Sequence, residues 1–377
     1  MIVGVPKETA AGETRVALTP DAAKRLIGKG VAVRVEAGAG TAAGYPDAAY
    51  SNAGCEVTAR AQALAGDVVL AVQAPAQPET VREGAVLIGA FAPLTNPGLV
   101  RAFAQRKLTT FSLELLPRIT RAQSMDILSS MSTVAGYKAV LIAAAASGKF
   151  FPMLVTAAGT IAPSRVFVLG AGVAGLQAIA TARRLGAIVE AFDVRPAVKE
   201  QIESLGAKFV AADLSDLTAE GEGGYAKEMS EEQHRRELEL IHGRLKETDV
   251  VITTALIPGK PAPRLITAAM VKDMKPGSVI VDLAAEMGGN CELTEKGKDV
   301  VHHGVTIIGR TNLPATTPQH ASQMYARNLT AFLGLLIGKE GQLTLNFEDE
   351  IIAGTCITHE GGIPHPLVKQ LVEGGAA

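Results

Sequence analysis

The chain has few cysteines, no excess of either charge and no long unbroken apolar run, and each shortage excludes a class of protein. Its three cysteines, Cys55, Cys291 and Cys356, lie far apart with no CxxC pair. They read as small core residues in a reducing compartment, not as a disulfide framework. A net charge of −2 leaves no electrostatic footprint for nucleic acid or an anionic membrane. A membrane helix needs about 18 apolar residues. The run 139–146 stops at Ser147-Gly148-Lys149, and 329–337 is also too short. Met1 leads straight into the strand-like IVGVP, with no basic and apolar leader pattern. Direct membrane insertion is therefore not expected. Histidine is absent before His234; the seven are His234, His242, His302, His303, His320, His359 and His365. The first two sit in a polar insert and the others read as surface or loop residues. Asp282 and Glu286 are neighbours on one segment without further ligands, so no metal site is expected.

What is present describes a packed α/β chain. Residues are 47% hydrophobic and 20% charged, and a length of 377 suggests two domains or three. Strand-like runs at 2–6, 31–38, 67–72, 85–91 and 107–114 alternate with helical patterns, the first at 20–29 with Thr19 as cap. That alternation predicts a parallel sheet. GAGTAAG (38–44) has the spacing G-x-G-x-x-x-G with no helical pattern after it and reads as a plain loop. A helical stretch at 121–147 reads as a connector. A second unit follows, with strands at 165–169, 187–192, 207–211, 249–254, 278–283 and 305–308. After a Pro-rich turn (312–318), a helix at 318–337 reads as returning to the first unit. The expected fold is α/β, two Rossmann-like doubly wound lobes with a cleft between them, the first completed by the C-terminal segment. The expected domains are 1–130 plus 310–377, and 131–309. A polar insert at 213–248 carries a helix at 231–245. It reads as a lid with a mobile tip at Gly223-Gly224-Tyr225 or as a solvated surface excursion.

The most informative stretch is RVFVLGAGVAG (165–175). An apolar, β-branched strand runs into Gly170, Gly172 and Gly175 as G-x-G-x-x-G, and a helical pattern follows. This is the dinucleotide-binding fingerprint in its required context. The first glycine permits the tight turn, the second lets backbone approach a pyrophosphate, and the third lets helix and strand pack closely. The N–H groups around Val173 and Ala174 then face the phosphates. Asp193 ends the next strand, 21 residues beyond Gly172, where a carboxylate accepts from the adenosine ribose. Its charge favours NAD(H), while Arg195, two residues on past Val194, leaves NADP(H) open. Segment 253–259, with Thr254, Ala255 and Leu256, reads as lining the adenosine and ribose side. A glycine-rich turn without a ligand is the bland alternative.

Further segments resemble a known family. RVALTP (15–20), LPRITRAQSMDILSS (116–130), TAAGT (156–160), GGYAKEM (223–229), TTALIPGKPAP (253–263) and DLAAEMGGNC (282–291) are similar, with the glycine loop, to domain I of proton-translocating nicotinamide nucleotide transhydrogenase. The likeness spans essentially the whole chain. It implies NAD(H) on the second lobe and NADP(H) on a separate partner domain, with hydride transfer between them coupled to proton movement through a membrane-embedded subunit. It also implies a homodimer and a cytoplasmic location, peripheral at the inner membrane through partners. Ending without a membrane segment, the chain looks like the separate soluble α1 subunit of a three-subunit bacterial form. By the same resemblance, Arg118, Gln123, Asp126 and Ser129 form the catalytic set at the nicotinamide and its ribose. Tyr225 is the mobile-loop tyrosine that closes over the nucleotide, and Asp193 is the ribose acid.

The wider superfamily includes alanine dehydrogenase, whose reaction also moves a proton and needs a positioned acid or base. Where that family carries a lysine this chain has Gln73, and its histidine segment reads GAFAPLTN (89–96). Only Arg15, the substrate-carboxylate residue, is retained. Hydride transfer between two nicotinamides needs no general acid; proximity, orientation and exclusion of water carry it. The expected activity is therefore transhydrogenation, with an amino-acid dehydrogenase and a non-catalytic NAD-binding module as alternatives.

Overall fold

The computed structural model describes residues 1–211, 231–257, 261–338 and 340–374. The chain divides into two compact units, Met1–Met131 with Pro314–Ala377, and Ser132–Leu313. Each is built on a seven-stranded sheet with helices on its faces.

In the first unit the strands lie in the order Cys356–Thr358, Thr109–Ser112, Val86–Ala90, Val68–Gln73, Ile2–Val5, Ala32–Glu36, Glu56–Thr58. All are parallel except Cys356–Thr358. Val68 to Val72 are buried on both faces, which is why VVLAV reads as a continuous apolar run and not as an alternation. Helix Pro318–Leu333 returns from the C-terminal segment and buries Tyr325, Leu329, Phe332 and Leu333 in the core.

In the second unit the order is Lys208–Phe209, Ile188–Phe192, Arg165–Leu169, Val250–Thr253, Val279–Asp282, Val305–Ile308, Asp299–His302. Only Asp299–His302 is antiparallel. Both units therefore wind outward from their first strand in one direction and then, from the fourth, in the other. Each has a topological switch point between those two strands, at their carboxyl ends.

Several expectations need correction. The stretch 121–147 is not one helix: a 3₁₀ turn Thr120–Met125 precedes helix Ile127–Ala146, and Asp126 between them has φ −72° and ψ 95°. An Asp side chain that bonds to nearby backbone N–H groups stops one helix and starts the next. Helix 318–337 ends at Leu333, before Gly334. The strand at 207–211 shrinks to Lys208–Phe209. The sheets are not wholly parallel, because the edge strands Cys356–Thr358 and Asp299–His302 run the other way. A hairpin, Leu154–Thr156 with Gly159–Ile161, was not expected either. Helix Ile127–Ala146 is long and apolar enough, by length and composition, to cross a membrane. It nevertheless places Ala139, Val140 and Ala143 fully inside the core of the second unit. At 38–44 there is a loop with a short 3₁₀ turn, Thr41–Ala43.

The switch point of the first unit holds a polar cluster. Pairing between Val68–Gln73 and Val86–Ala90 shifts register after Leu70. The backbone groups released there still need partners. The Tyr325 hydroxyl donates to the carbonyls of Ala71 and Val72 at 3.0 and 3.1 Å. The N–H groups of Val72 and Gln73 donate to the Glu8 carboxylate at 2.6 and 3.3 Å. Burial pushes the Glu8 carboxyl from its ordinary 4.5 up to about 7, against the pull of those two N–H groups. A raised carboxyl binds its proton more tightly folded than unfolded, so it costs nothing below pH 4.5, where both states are protonated. The cost grows between pH 4.5 and 7 and is constant above. Urea titrations of wild type and Glu8→Gln across this range should show wild type losing ground to the variant as pH rises. A gap independent of pH would refute the shift.

Candidate functional site

The second unit's switch point lies between Arg165–Leu169 and Val250–Thr253, and the glycine loop sits on it. Its three glycines do different work. Gly170 has φ +95°, and a Cβ there would stand 2.6 Å from Thr254 Oγ1. A Cβ on Gly175 would stand 1.9 Å from the Gly170 carbonyl oxygen, so helix Val173–Arg184 approaches the turn as only glycine allows. A Cβ on Gly172 would meet nothing within 4 Å. The first and third glycines are thus required by protein atoms, and the second faces open space. That space lies at a helix N-terminus without a side-chain cap, beside Val173 and Ala174. Unsatisfied N–H groups and the positive dipole end suit a pyrophosphate.

Asp193 is buried and fully engaged. One oxygen accepts from Ala171 N–H at 2.7 Å and from Arg195 Nη2 at 2.8 Å. The other accepts from the Arg195 backbone N–H and Nε, both at 2.9 Å. The guanidinium grips the carboxylate in a bidentate fork, with Val194 between them. Arg195 is thus bound to Asp193, although the sequence alone left it open to a phosphate.

Thr254, Ala255 and Leu256 follow the fourth strand. Thr254 Oγ1 donates to the Gly170 carbonyl at 3.1 Å, and Leu256 is exposed. Ala255 is clamped by Asn290, which accepts from Ala255 N–H at 3.0 Å and donates to its carbonyl at 2.9 Å. Asn290 is fully buried, as is Asp282, whose carboxylate takes Thr253 and Thr294 hydroxyls and the N–H groups of Ala284 and Cys291. Sequence reasoning missed Asn290 and weighed Asp282 only as a metal ligand. The available signal was two polar residues in an otherwise apolar and glycine-rich stretch, 279–291. Among the described residues no three of His, Cys, Asp or Glu converge on one point. Tyr225 and Pro258-Gly259 lie outside the described residues.

The remaining candidates are in the first unit. In turn Thr120–Met125 a period of three carries Ala122 and Met125 inward, both buried, and leaves Gln123 exposed. Asp126 joins the other three. It accepts from Ser129 N–H at 2.9 Å and from Ser129 Oγ at 2.7 Å, and pairs with Arg118 Nη1 at 3.1 Å. It thereby caps helix Ile127–Ala146. The structure brings Arg118, Asp126 and Ser129 into one network, and the Gln123 amide stands apart from it. Arg15 is nearly buried and gripped by Glu13, Nε at 2.8 Å and Nη2 at 2.6 Å. Gln73 Nε2 donates to the same Glu13 at 2.7 Å. Of the histidines, His234 pairs with Glu237 and His242 with Asp273.

Comparison with known proteins agrees with this geometry. Residues 4–135 match the model of the alanine dehydrogenase/PNT N-terminal domain, and 139–366 that of its C-terminal domain. The chain is 52% identical to the first of the polypeptides that make up NAD(P) transhydrogenase subunit alpha in Rhodospirillum rubrum, over 98% of this chain and 99% of that one. It is 30% identical to alanine dehydrogenase of Bacillus subtilis, over 98% and 94% respectively. The crystal structure of transhydrogenase from Sinorhizobium meliloti superposes with a TM-score of 0.88 at 46% identity, covering 96% of this chain and all of that one. Two domain matches in tandem, with relatives aligned almost end to end, place the chain in the alanine dehydrogenase/PNT family.

Proposed function

We propose that the chain is the NAD(H)-binding subunit of a proton-translocating transhydrogenase. The observation that carries this reading is the exposed Gln123 amide, on a turn whose Arg118, Asp126 and Ser129 are engaged with one another. Such a site offers a neutral amide to orient a nicotinamide and no free acid or base to move a proton. The reaction it suits transfers one hydride from C4 of NADH to C4 of NADP⁺, giving NAD⁺ and NADPH with no proton exchanged at the carbon centres. NADP(H) would be held by a partner subunit, and proton movement would run through a membrane-embedded one. The chain itself would act as a homodimer, in the cytoplasm and peripheral to the inner membrane.

Within this reading Gly172, Val173 and Ala174 bind the pyrophosphate, with Gly170 and Gly175 shaping the turn. Asp193 accepts from the adenosine ribose, with Arg195 holding its carboxylate in place. Thr254, Ala255 and Leu256 line the adenosine side, and Tyr225 closes over the bound nucleotide. Gln123 orients the ring through its carboxamide. Arg118, Asp126 and Ser129 hold the turn that presents Gln123, and Ser129 lies by the ribose. The greater likeness to the transhydrogenase subunit than to alanine dehydrogenase supports this assignment. So does the cluster at Arg15: its guanidinium is gripped by Glu13, and Gln73 stands beside it without acid–base capacity.

The direct test mixes the purified chain with an NADP(H)-binding transhydrogenase partner and follows hydride transfer from NADH to an NADP analogue, with alanine plus NAD⁺ in parallel. Transfer should require the partner, and alanine should not be turned over; alanine oxidation would overturn the proposal. Gln123→Asn should slow transfer at least about 10-fold, a loss of roughly 1.4 kcal/mol in the transition state, with NADH affinity within a few-fold of wild type. Equal losses of rate and affinity would remove Gln123 from ring orientation. Asp193→Asn removes an acceptor and releases Arg195. Fluorescence titration should then show NADH binding about 10-fold weaker, as expected for one charged hydrogen bond, and NADPH binding tighter. An unchanged preference would disprove the role given to Asp193.

A further inference from the structure

The turn that presents Gln123 is held from outside by the C-terminal segment. A short 3₁₀ turn leaves carbonyls at its end without partners of its own. The carbonyl of Ser124 meets the side chain of Asn328, whose Nδ2 donates to it at 2.9 Å. Asn328 lies on helix Pro318–Leu333 and is 6% exposed. Its Oδ1 is buried and has no hydrogen-bond partner. A buried amide oxygen without a partner is unfavourable, and an apolar side chain of the same size would avoid that cost. Burial of Ala122 and Met125 would keep the turn docked without any asparagine. The asparagine therefore adds direction, not adhesion: it fixes the backbone next to Gln123. A second tie lies beside it. Arg121 forks onto Asp349 at 2.6 and 2.8 Å, and Asp349 caps helix Glu350–Thr355. Residues on both sides of Gln123 are thus anchored to elements more than 200 positions away in sequence.

We propose that Asn328 is a positioning residue for hydride transfer, acting through the Ser124 carbonyl on the orientation of Gln123, with Arg121–Asp349 as the outer tie. This rests on the transhydrogenase reading above. Asn328→Leu keeps the volume and removes both the donor and the unpartnered oxygen. A merely structural asparagine would make activity follow stability. A positioning one separates them: Asn328→Leu should melt no lower than wild type and bind NADH within about 3-fold, yet transfer hydride about 10-fold or more slowly with the partner present. Asp349→Asn keeps the helix cap, since Asn caps as well as Asp, but loses the ion pair. It should slow transfer about 3-fold with NADH affinity unchanged. A folded Asn328→Leu with wild-type kcat would overturn the proposal. If that variant does not fold, wild-type kcat in Asp349→Asn would overturn it. Failure of wild type itself to transfer hydride to the partner would instead count against the underlying reading.

Discussion

The close approach of helix Val173–Arg184 to the turn before it is the contact on which the candidate site depends. A Cβ at Gly175 would lie 1.9 Å from the Gly170 carbonyl, closer than any non-bonded carbon approaches an oxygen. With that approach allowed, the helix N-terminus arrives at the carboxyl end of the first strand, at the switch point of the sheet. The same approach brings Thr254 Oγ1 within bonding distance of the Gly170 carbonyl, so the turn and the segment after the fourth strand hold each other. One missing methyl group thereby aligns a dipole, a backbone turn and the far wall of the site. The open side is at Gly172, where nothing of the protein would meet a side chain.

The two units share this topology and use it differently. In the second, glycines leave the switch point open. In the first, the strand Ile2–Val5 leads into a segment rich in charge, and Glu8, Glu13 and Arg15 with Gln73 fill the corresponding place with a mutually satisfied cluster. Tyr325 and Glu8 also satisfy the backbone groups left over where strand register shifts. A switch point is thus a place where the sheet leaves polar backbone to be answered. Either a ligand or the protein's own side chains can do it.

What could be read in the sequence was what repeats locally. Strands such as Arg165–Leu169 and Val305–Ile308 stand where the apolar runs put them, because a doubly covered strand must be apolar throughout. The glycine loop was legible because turn, strand and helix are contiguous. The break at Asp126 was not, since RAQSMDILSS is made of residues that a helix tolerates, and only the Asp side chain, bonding forward to Ser129, decides against continuity. The antiparallel edges were hidden for a similar reason: three or four residues at a sheet margin carry too short a pattern. Asn290 and Asn328 were missed because each serves backbone 35 and 204 positions away, and no local spacing encodes such a bond.

That last pattern has a chemical logic. A reaction that moves a hydride and no proton gives the protein little to do at the reacting atoms except hold them in place. Selection can then act only on orientation, and orientation of a ring depends on the backbone behind the side chain that touches it. Residues doing this work need not be titratable, exposed or near one another in sequence. They should look like ordinary buried amides with a directional bond to main chain. Asn290 at Ala255 and Asn328 at Ser124 have that form: each is buried and each fixes a carbonyl beside a candidate contact residue. In such a protein the search for function by acid–base residues ends in empty ground, and buried asparagines bonded to loop carbonyls are the better guide.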